Sequence, residues 1–166
     1  MRYRAGVVGL GWTGWLYDVA ERRVAPEQEA KTGLPPLRGR SYVGLPNSHA
    51  GSYAVHPRTQ LVAGCELDQE RLSAFGRHYG ITALYTDYRE MLEKESLDLV
   101  SISTTTRIRP EVTIAAAEAG VKGIYTEKPM AFSLEEADAM LAPCGERNVK
   151  LVVGAISVNH PAFGKA

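Results

Sequence analysis

A glycine-rich turn near the start of the chain has the spacing that binds a diphosphate. The turn reads Gly9-Leu10-Gly11-Trp12-Thr13-Gly14, a G-x-G-x-x-G motif directly after a short apolar run. In such a turn the first glycine makes the bend, the second admits a phosphate and the third packs the helix on the strand. The N–H groups and positive dipole at the helix start favour an anion. A glycine-rich turn without a ligand fits the same pattern, but its place at the head of a strand series favours nucleotide binding.

An acidic residue at the end of the second apolar run is the partner that a bound adenosine needs. Glu66 follows Leu61–Cys65 and is placed to accept hydrogen bonds from ribose hydroxyls. It lies 52 positions after Gly14, where about 20 is usual. Because a carboxylate repels a 2'-phosphate, NAD is predicted over NADP. Two alternatives stay open: Glu66 is a solvated turn residue, or Arg38 or Arg40 folds back and admits NADP.

The sequence predicts that strands alternate with helices, and these elements would position the residues above. Six short apolar runs are predicted to be strands: Tyr3 to Gly9, Leu61 to Cys65, Ala83 to Tyr85, Leu97 to Ser103, Gly123 to Thr126 and Lys150 to Gly154. Most are continuously apolar, as strands covered on both faces are. The pattern predicts an α/β fold with a doubly wound parallel sheet, a Rossmann domain over residues 1–154.

Helix boundaries are marked by capping residues. Asp68, Asp87 and Ser133 are predicted N-caps, and a further helix is expected to start near Pro110 and end at Gly120. Two buried stripes are predicted, one for the helix after Asp68 and one for the last helix: Leu72, Phe75 and Tyr79, and Leu134, Ala137 and Leu141.

One stretch, at about residues 25–47, has no sustained period and contains several prolines. Such a long irregular segment is unusual inside a compact domain. A lid at the cofactor edge and a loop remote from it are both consistent with its sequence.

Composition excludes several classes of protein. Lys plus Arg and Asp plus Glu number 19 each, so no overall field favours nucleic acid. The two cysteines and the four scattered histidines, without a partnering cysteine or carboxylate motif, predict no metal site. Glycines interrupt the first apolar run, no leader or membrane span is predicted, and a cytoplasmic location is expected.

A tripeptide after the fifth strand, Glu127-Lys128-Pro129, carries a family resemblance. With the glycine motif, Ser101-Ile102-Ser103-Thr104 and Ala117-Glu118-Ala119-Gly120-Val121, the sequence resembles the glucose-fructose oxidoreductase and inositol dehydrogenase family (Gfo/Idh/MocA). The resemblance implies NAD or NADP and hydride transfer to or from a sugar, polyol or inositol-like substrate. It implies that Lys128 is catalytic beside the nicotinamide and that the bond before Pro129 is cis. An ion pair between Lys128 and Glu127 is the structural alternative.

The resemblance and the motif together define the expected cofactor site. Its residues are Gly9, Gly11, Trp12, Thr13, Gly14, Glu66, Ser103, Thr104, Thr105, Glu127, Lys128 and Pro129. The family reads S-T-P-N-x-x-H after strand four, whereas this chain has Thr105, Thr106 and Arg109 at the Pro, Asn and His positions. Contacts to the nicotinamide are therefore expected to differ.

Residues 155–166 resemble the start of the connection to a second, substrate-binding domain, although Ser157 and Val158 stand where the family commonly has arginines. That domain is expected to be absent, which predicts cofactor binding without efficient turnover and an exposed apolar patch that favours self-association. A non-catalytic dinucleotide-binding or sensing module is the alternative function. A methyltransferase would also use the glycine turn, but Glu127-Lys128-Pro129 argues against it.

Overall fold

Six strands form one parallel sheet in the computed structural model, which describes residues 2–19 and 46–154. The strands are β1 (Tyr3–Val8), β2 (Thr59–Cys65), β3 (Ala83–Tyr85), β4 (Leu99–Ile102), β5 (Gly123–Thr126) and β6 (Lys150–Val153). Each predicted strand is confirmed, with its ends within about two residues of the expected ones, a difference typical of element ends.

The order of the strands is β3-β2-β1-β4-β5-β6, with every neighbouring pair parallel. The chain runs outward from β1 to one edge and then from β4 to the other. In such a sheet the crevice outside the carboxyl ends of β1 and β4 is where ligands bind. The doubly wound Rossmann prediction is confirmed.

Helices connect the strands. A π-helical turn (Trp12–Leu16) leads into α1 (Tyr17–Val19), followed by α2 (His49–Val55), α3 (Gln69–Tyr79), α4 (Tyr88–Lys94), α5 (Arg109–Glu118, after a 3-10 turn at Thr106–Ile108) and α6 (Leu134–Glu146). The predicted caps are confirmed, since the side chains of Asp68, Asp87 and Ser133 accept backbone N–H groups at their helix starts. Gly120 has φ +82°, the left-handed conformation expected past the end of α5.

Two buried clusters hold the helices to the sheet. One joins β4 and β5 to α4, α5 and α6 through side chains such as Val100, Met91 and Val112. The other joins β1 and β2 to the first helical turn and α3, with Trp15 packed edge-on against Phe75. Separate clusters of this kind are what helices on both faces of a parallel sheet produce.

The predicted stripe of α6 is wrong. Leu134 and Leu141 are 81% and 51% exposed, whereas Met140 and Cys144 are buried. Because Met140 and Cys144 are four residues apart, they define a helix face rotated from the predicted one, and that face is the buried one. Phe132 and Val152 are also exposed, so apolar side chains lie on the surface here as expected, while self-association stays a prediction.

Several predicted features lie outside the described residues. They are the irregular segment except for its last two residues, its Arg38 and Arg40, and residues 155–166. Helix α2 (His49–Val55) follows the irregular segment. Within the described ranges, no helix has both the length and the apolar character to cross a bilayer.

Candidate cofactor site

The first two glycines of the turn have the geometry that a diphosphate site requires. Gly9 has φ +87°, and a Cβ there would lie 2.8 Å from the backbone carbon of Ser103, so a side chain at this bend would be both strained and blocked. Gly11 is different, because a Cβ on it would meet nothing within 4 Å. The backbone at Gly11 therefore faces open space that a ligand could enter.

Gly14 performs the packing role predicted for the third glycine. A Cβ on Gly14 would collide with the carbonyl oxygen of Gly9 and lie 2.7 Å from Ser103 Oγ. The start of the helix thus sits directly against the end of β1. This close approach directs the N–H groups of the first helical turn toward the carboxyl edge of the sheet.

Glu66 lies at this edge, beside the glycine turn. Its Oε2 accepts the N–H of Leu10 at 2.9 Å, and its Oε1 accepts the N–H of Leu67 at 2.8 Å. The carboxylate therefore links the end of β2 to the turn. Oε1 also accepts the N–H of Asp68 at 3.3 Å, and Oε2 also accepts Nη1 of Arg71 at 3.2 Å. A carboxylate has about four lone-pair sites, so a ribose hydroxyl would replace one of these donors.

Arg71, on the first turn of α3, is a partner of Glu66 that the sequence analysis did not identify. Its guanidinium is 3.2 Å from Glu66 Oε2 and 3.2 Å from Asp68 Oδ2. Two carboxylates against one guanidinium leave this corner negative. The corner therefore disfavours a 2'-phosphate, in agreement with the preference for NAD.

The segment after β4 is fixed to the glycine turn. Ser103 Oγ donates to the carbonyl of Gly9 at 2.6 Å, and the Ser103 N–H donates to the carbonyl of Val8 at 2.8 Å. Thr104 and Thr105 follow, partly exposed and exposed, at the same edge. The structure thus brings Gly9, Ser103 and Glu66 together as predicted.

Arg109, which stands at the family's histidine position, is buried and holds two loops together. Its Nη2 donates to the carbonyl of Thr104 at 2.7 Å, and its Nη1 donates to the carbonyl of Pro129 and to Thr106 Oγ1. Only 7% of the residue is exposed. Arg109 therefore joins the loop after β4 to the loop after β5, and burial lowers the pKa of its guanidinium.

The Glu127-Lys128-Pro129 loop begins at the end of β5, at the same edge. The Glu127 N–H donates to the carbonyl of Ile102 at 3.0 Å, which holds the loop beside β4. The Lys128–Pro129 bond is cis, as expected, and the Lys128 side chain is exposed. The predicted site residues thus lie at the carboxyl edge of the sheet, on the loops after its strands and on the helical turn Trp12–Leu16.

Glu127 has a partner that sequence reasoning missed. Its Oε1 lies 3.1 Å from His49 Nε2, and its Oε2 accepts the backbone N–H of Lys128 at 3.3 Å. Within the described residues, the side chain bonded to Glu127 is that of His49 and not that of Lys128, so the alternative of a Glu127–Lys128 ion pair is not what forms. The hydrogen bond from His49 is the main cause that lowers the pKa of Glu127. No sequence motif marks this pair, because the two residues are 78 positions apart.

Comparison with known families agrees with this geometry. Residues 41–155 match the family described as "Oxidoreductase family, NAD-binding Rossmann fold" (GFO_IDH_MocA). The match covers more than half of the chain, and the protein belongs to this NAD-binding oxidoreductase family. The matched residues begin after the glycine turn, so that turn is supported independently by its own geometry.

Relatives and solved structures give the same assignment. The chain is 44% identical over 94 residues to D-apiose dehydrogenase of Paraburkholderia graminis, covering 57% of this chain and 25% of the relative. It is 34% identical over 110 residues to the NAD(+)-dependent scyllo-inositol 2-dehydrogenase of Bacillus subtilis, covering 66% and 32%. The fold matches that of myo-inositol 2-dehydrogenase from Lactobacillus plantarum with a TM-score of 0.65 at 26% identity, covering 93% and 36%. The chain therefore spans about a quarter to a third of the length of these relatives.

Proposed function

We propose that this chain is the cofactor-binding half of an NAD-dependent dehydrogenase that transfers hydride to or from a carbon bearing a hydroxyl of a sugar, polyol or inositol-like substrate. The observation that carries the proposal is the contrast between Gly11, which is open to a ligand, and Gly14, which is closed against the Gly9 carbonyl. A turn that served only the fold would need the packing but not the opening.

The site divides into two parts under this proposal. The diphosphate end consists of residues 9–14 and Glu66, with the phosphates on the N–H groups of the turn that contains Trp12 and Thr13, and the ribose on the Glu66 carboxylate. The nicotinamide end consists of residues 103–105 and 127–129, with the side chains that hold these two loops. Both ends lie on one edge of the sheet, as a dinucleotide spanning the crevice requires.

Lys128 has the chemistry that the reaction needs at the nicotinamide end. NAD, when bound, supplies the hydride acceptor. The Lys128 ammonium, on an exposed side chain next to the cofactor, would stabilise a developing alkoxide or take part in the proton transfer. Glu127, paired with His49, leaves that ammonium for the substrate oxygen.

Under this proposal, substrate binding and turnover require a second domain in addition to the cofactor-binding domain. The matched relatives are about three to four times as long as the aligned segment, since alignment covers 25% to 34% of the first relatives. We expect this chain alone to reduce NAD with inositols or aldoses no faster than a buffer control. A measurable rate that depends on Lys128 would contradict this part of the proposal while leaving cofactor binding intact.

Cofactor binding is tested by titrating the chain with NADH and NADPH. Trp12 and Trp15 are its two tryptophans, so energy transfer from tryptophan to bound nicotinamide reports occupancy. NADH is expected to bind more tightly, because Glu66 and Asp68 repel a 2'-phosphate. Equal or tighter binding of NADPH would overturn the NAD preference, and binding of neither would overturn the proposal.

A pair of alanine substitutions separates binding from folding. Gly11→Ala puts a methyl group into the ligand's path without touching protein, so we expect NADH affinity to fall by about tenfold or more, about 1.4 kcal/mol, with unchanged thermal stability. Gly145→Ala is the matched control, because a Cβ there also meets nothing within 4 Å but lies on α6. Equal NADH affinity in the two variants would sink the assignment of Gly11.

A further inference from the structure

His49 is the first residue of α2, and its backbone is fixed by contacts that span the irregular segment. Asp18, on α1, accepts the N–H groups of Asn47 at 2.6 Å and Ser48 at 3.1 Å, and it also accepts the Ser48 hydroxyl. Ser48 in turn caps α2 by accepting the N–H of Gly51 at 3.0 Å. The start of α2 is therefore tied to the helix that follows the glycine turn.

The side chain of His49 is held as firmly as its backbone. It is 9% exposed, and its ring lies edge-on to Tyr125 with centroids 4.8 Å apart. Nε2 donates to Oε1 of Glu127, a carboxylate that is itself 15% exposed. On another side, a Cβ at Gly154 would lie 3.3 Å from the same oxygen, so the carboxylate is also packed there.

These contacts determine whether the Glu127 carboxylate pairs with the ammonium of Lys128. A carboxylate that pairs with a lysine holds the ammonium in its protonated form. Here both oxygens of Glu127 are engaged, one by His49 and one by the backbone N–H of Lys128. The Lys128 side chain is exposed instead.

We infer that His49 is a positioning residue for the candidate catalytic loop: it holds the Glu127 carboxylate so that this carboxylate does not form a direct ion pair with the Lys128 ammonium. The importance of this for hydride transfer rests on the proposed function. The positioning itself is a property of the chain without ligand, and it is tested without cofactor.

The test measures how fast each lysine is acylated by acetic anhydride at pH 8, by mass spectrometry of digested protein. In His49→Phe the ring contact with Tyr125 is kept but the N–H donor is lost. Glu127 then turns to Lys128, and acylation of Lys128 is expected to slow by about two- to fivefold, the effect of one exposed ion pair. Lys122 and Lys150, bonded to Asp98 and Asn148, are internal references.

Two further variants separate positioning from a merely structural role. His49→Gln retains an N–H donor and is expected to restore the wild-type rate. His49→Phe in a Glu127→Gln background is expected to change the Lys128 rate no further, because the carboxylate that it releases is gone. His56→Phe is the matched control, since His56 is the exposed histidine at the other end of α2.

The inference is overturned if His49→Phe leaves the Lys128 rate unchanged, or if its effect persists in the Glu127→Gln background. Should His49→Phe fail to fold, Glu127→Gln alone decides. With Glu127 held by His49, this substitution is expected to change Lys128 acylation by less than about twofold. A larger acceleration would mean that Glu127 pairs with Lys128 in the wild type. NADH binding by the wild type tests the proposed function separately.

Discussion

The two ends of the candidate site are built in different ways. The diphosphate end depends mainly on backbone: of three glycines in one turn, Gly9 and Gly14 pack closely at the ends of β1 and β4, and Gly11 is open. The nicotinamide end depends on two side chains, His49 and Arg109, which reach from α2 and α5 to hold its loops. A site made of backbone can be predicted from a short sequence motif. A site made of side chains forms only when elements that are distant in sequence pack together.

This difference determines what a substitution would do at each end. Removal of any glycine in the turn would remove either a bend, an opening or a packing contact. At the nicotinamide end, loss of Arg109 would remove the side chain that joins the loops after β4 and β5. We therefore expect substitutions at the two ends to fail in different ways.

The largest effect is expected for Gly14→Ala at the diphosphate end. Its methyl group would collide with the Gly9 carbonyl and approach Ser103 Oγ, so the helix must move off the strand. Overpacking of this kind costs about 1–3 kcal/mol, occasionally more. Urea unfolding monitored by circular dichroism measures the loss, and NADH binding should fall with it. Unchanged stability would show that the diphosphate end tolerates repacking. The proposed difference between the two ends would then be wrong.

A smaller and more selective effect is expected for Arg109→Met at the nicotinamide end. The substitution leaves the carbonyls of Thr104 and Pro129 without their donor. Thr104 is partly exposed and Pro129 is exposed, so water replaces the donor and the expected loss is about 1 kcal/mol. Part of this cost is offset because burial of the guanidinium is itself unfavourable. NADH affinity should fall several-fold while AMP affinity is retained, since AMP reaches only the diphosphate end.

Both ligands are measured by calorimetry, with Arg107→Met as control, because Arg107 is the exposed neighbour on the same turn. A uniform loss for NADH and AMP would mean that Arg109 supports the sheet edge as a whole. The diphosphate end and the nicotinamide end would then not be independent of each other.

The sequence predicted the sheet well because its signals are local. Continuous apolar runs and capping residues lie next to the elements that they mark, and the glycine turn is contained in six residues. Glu66 was identified because a Rossmann domain requires an acid at the end of its second strand. Such features need no knowledge of distant contacts.

The remainder depended on tertiary packing. No local sequence pattern links His49 to Glu127. In the sequence, the irregular segment also separates His49 from the glycine turn, although both lie at the same end of the folded domain. From the sequence alone, Arg109 is expected to be a surface arginine. In the structure, its position at the start of α5 places the side chain against two backbone carbonyls. The buried face of α6 was misassigned because two helical stripes fit its sequence, and tertiary packing buries the one through Met140 and Cys144.

The smallest effect is expected at the opposite, amino edge of the sheet, where neither end of the site is touched. Asp98, just before β4, accepts Lys122 Nζ at 2.6 Å and the N–H of Arg4 at 2.8 Å. The hydrogen bond from Lys122 is the main cause that lowers the pKa of Asp98 from its ordinary value of 3.8, followed by the one from Arg4. A lowered carboxyl pKa stabilises the fold above that ordinary value, and the contribution is lost as pH falls through the folded pKa.

Asp98→Asn is therefore expected to lower the free energy of unfolding by a constant amount from pH 5 to 7, and the gap to wild type should shrink below about pH 3.8. Urea unfolding across this range measures the gap, with Asp138→Asn, an exposed carboxylate on α6, as control. NADH affinity at pH 7 should not change, because the binding edge lies at the other end of the strands. A gap that widens in acid would contradict the assigned pKa direction, and altered NADH affinity would mean that the two sheet edges are coupled.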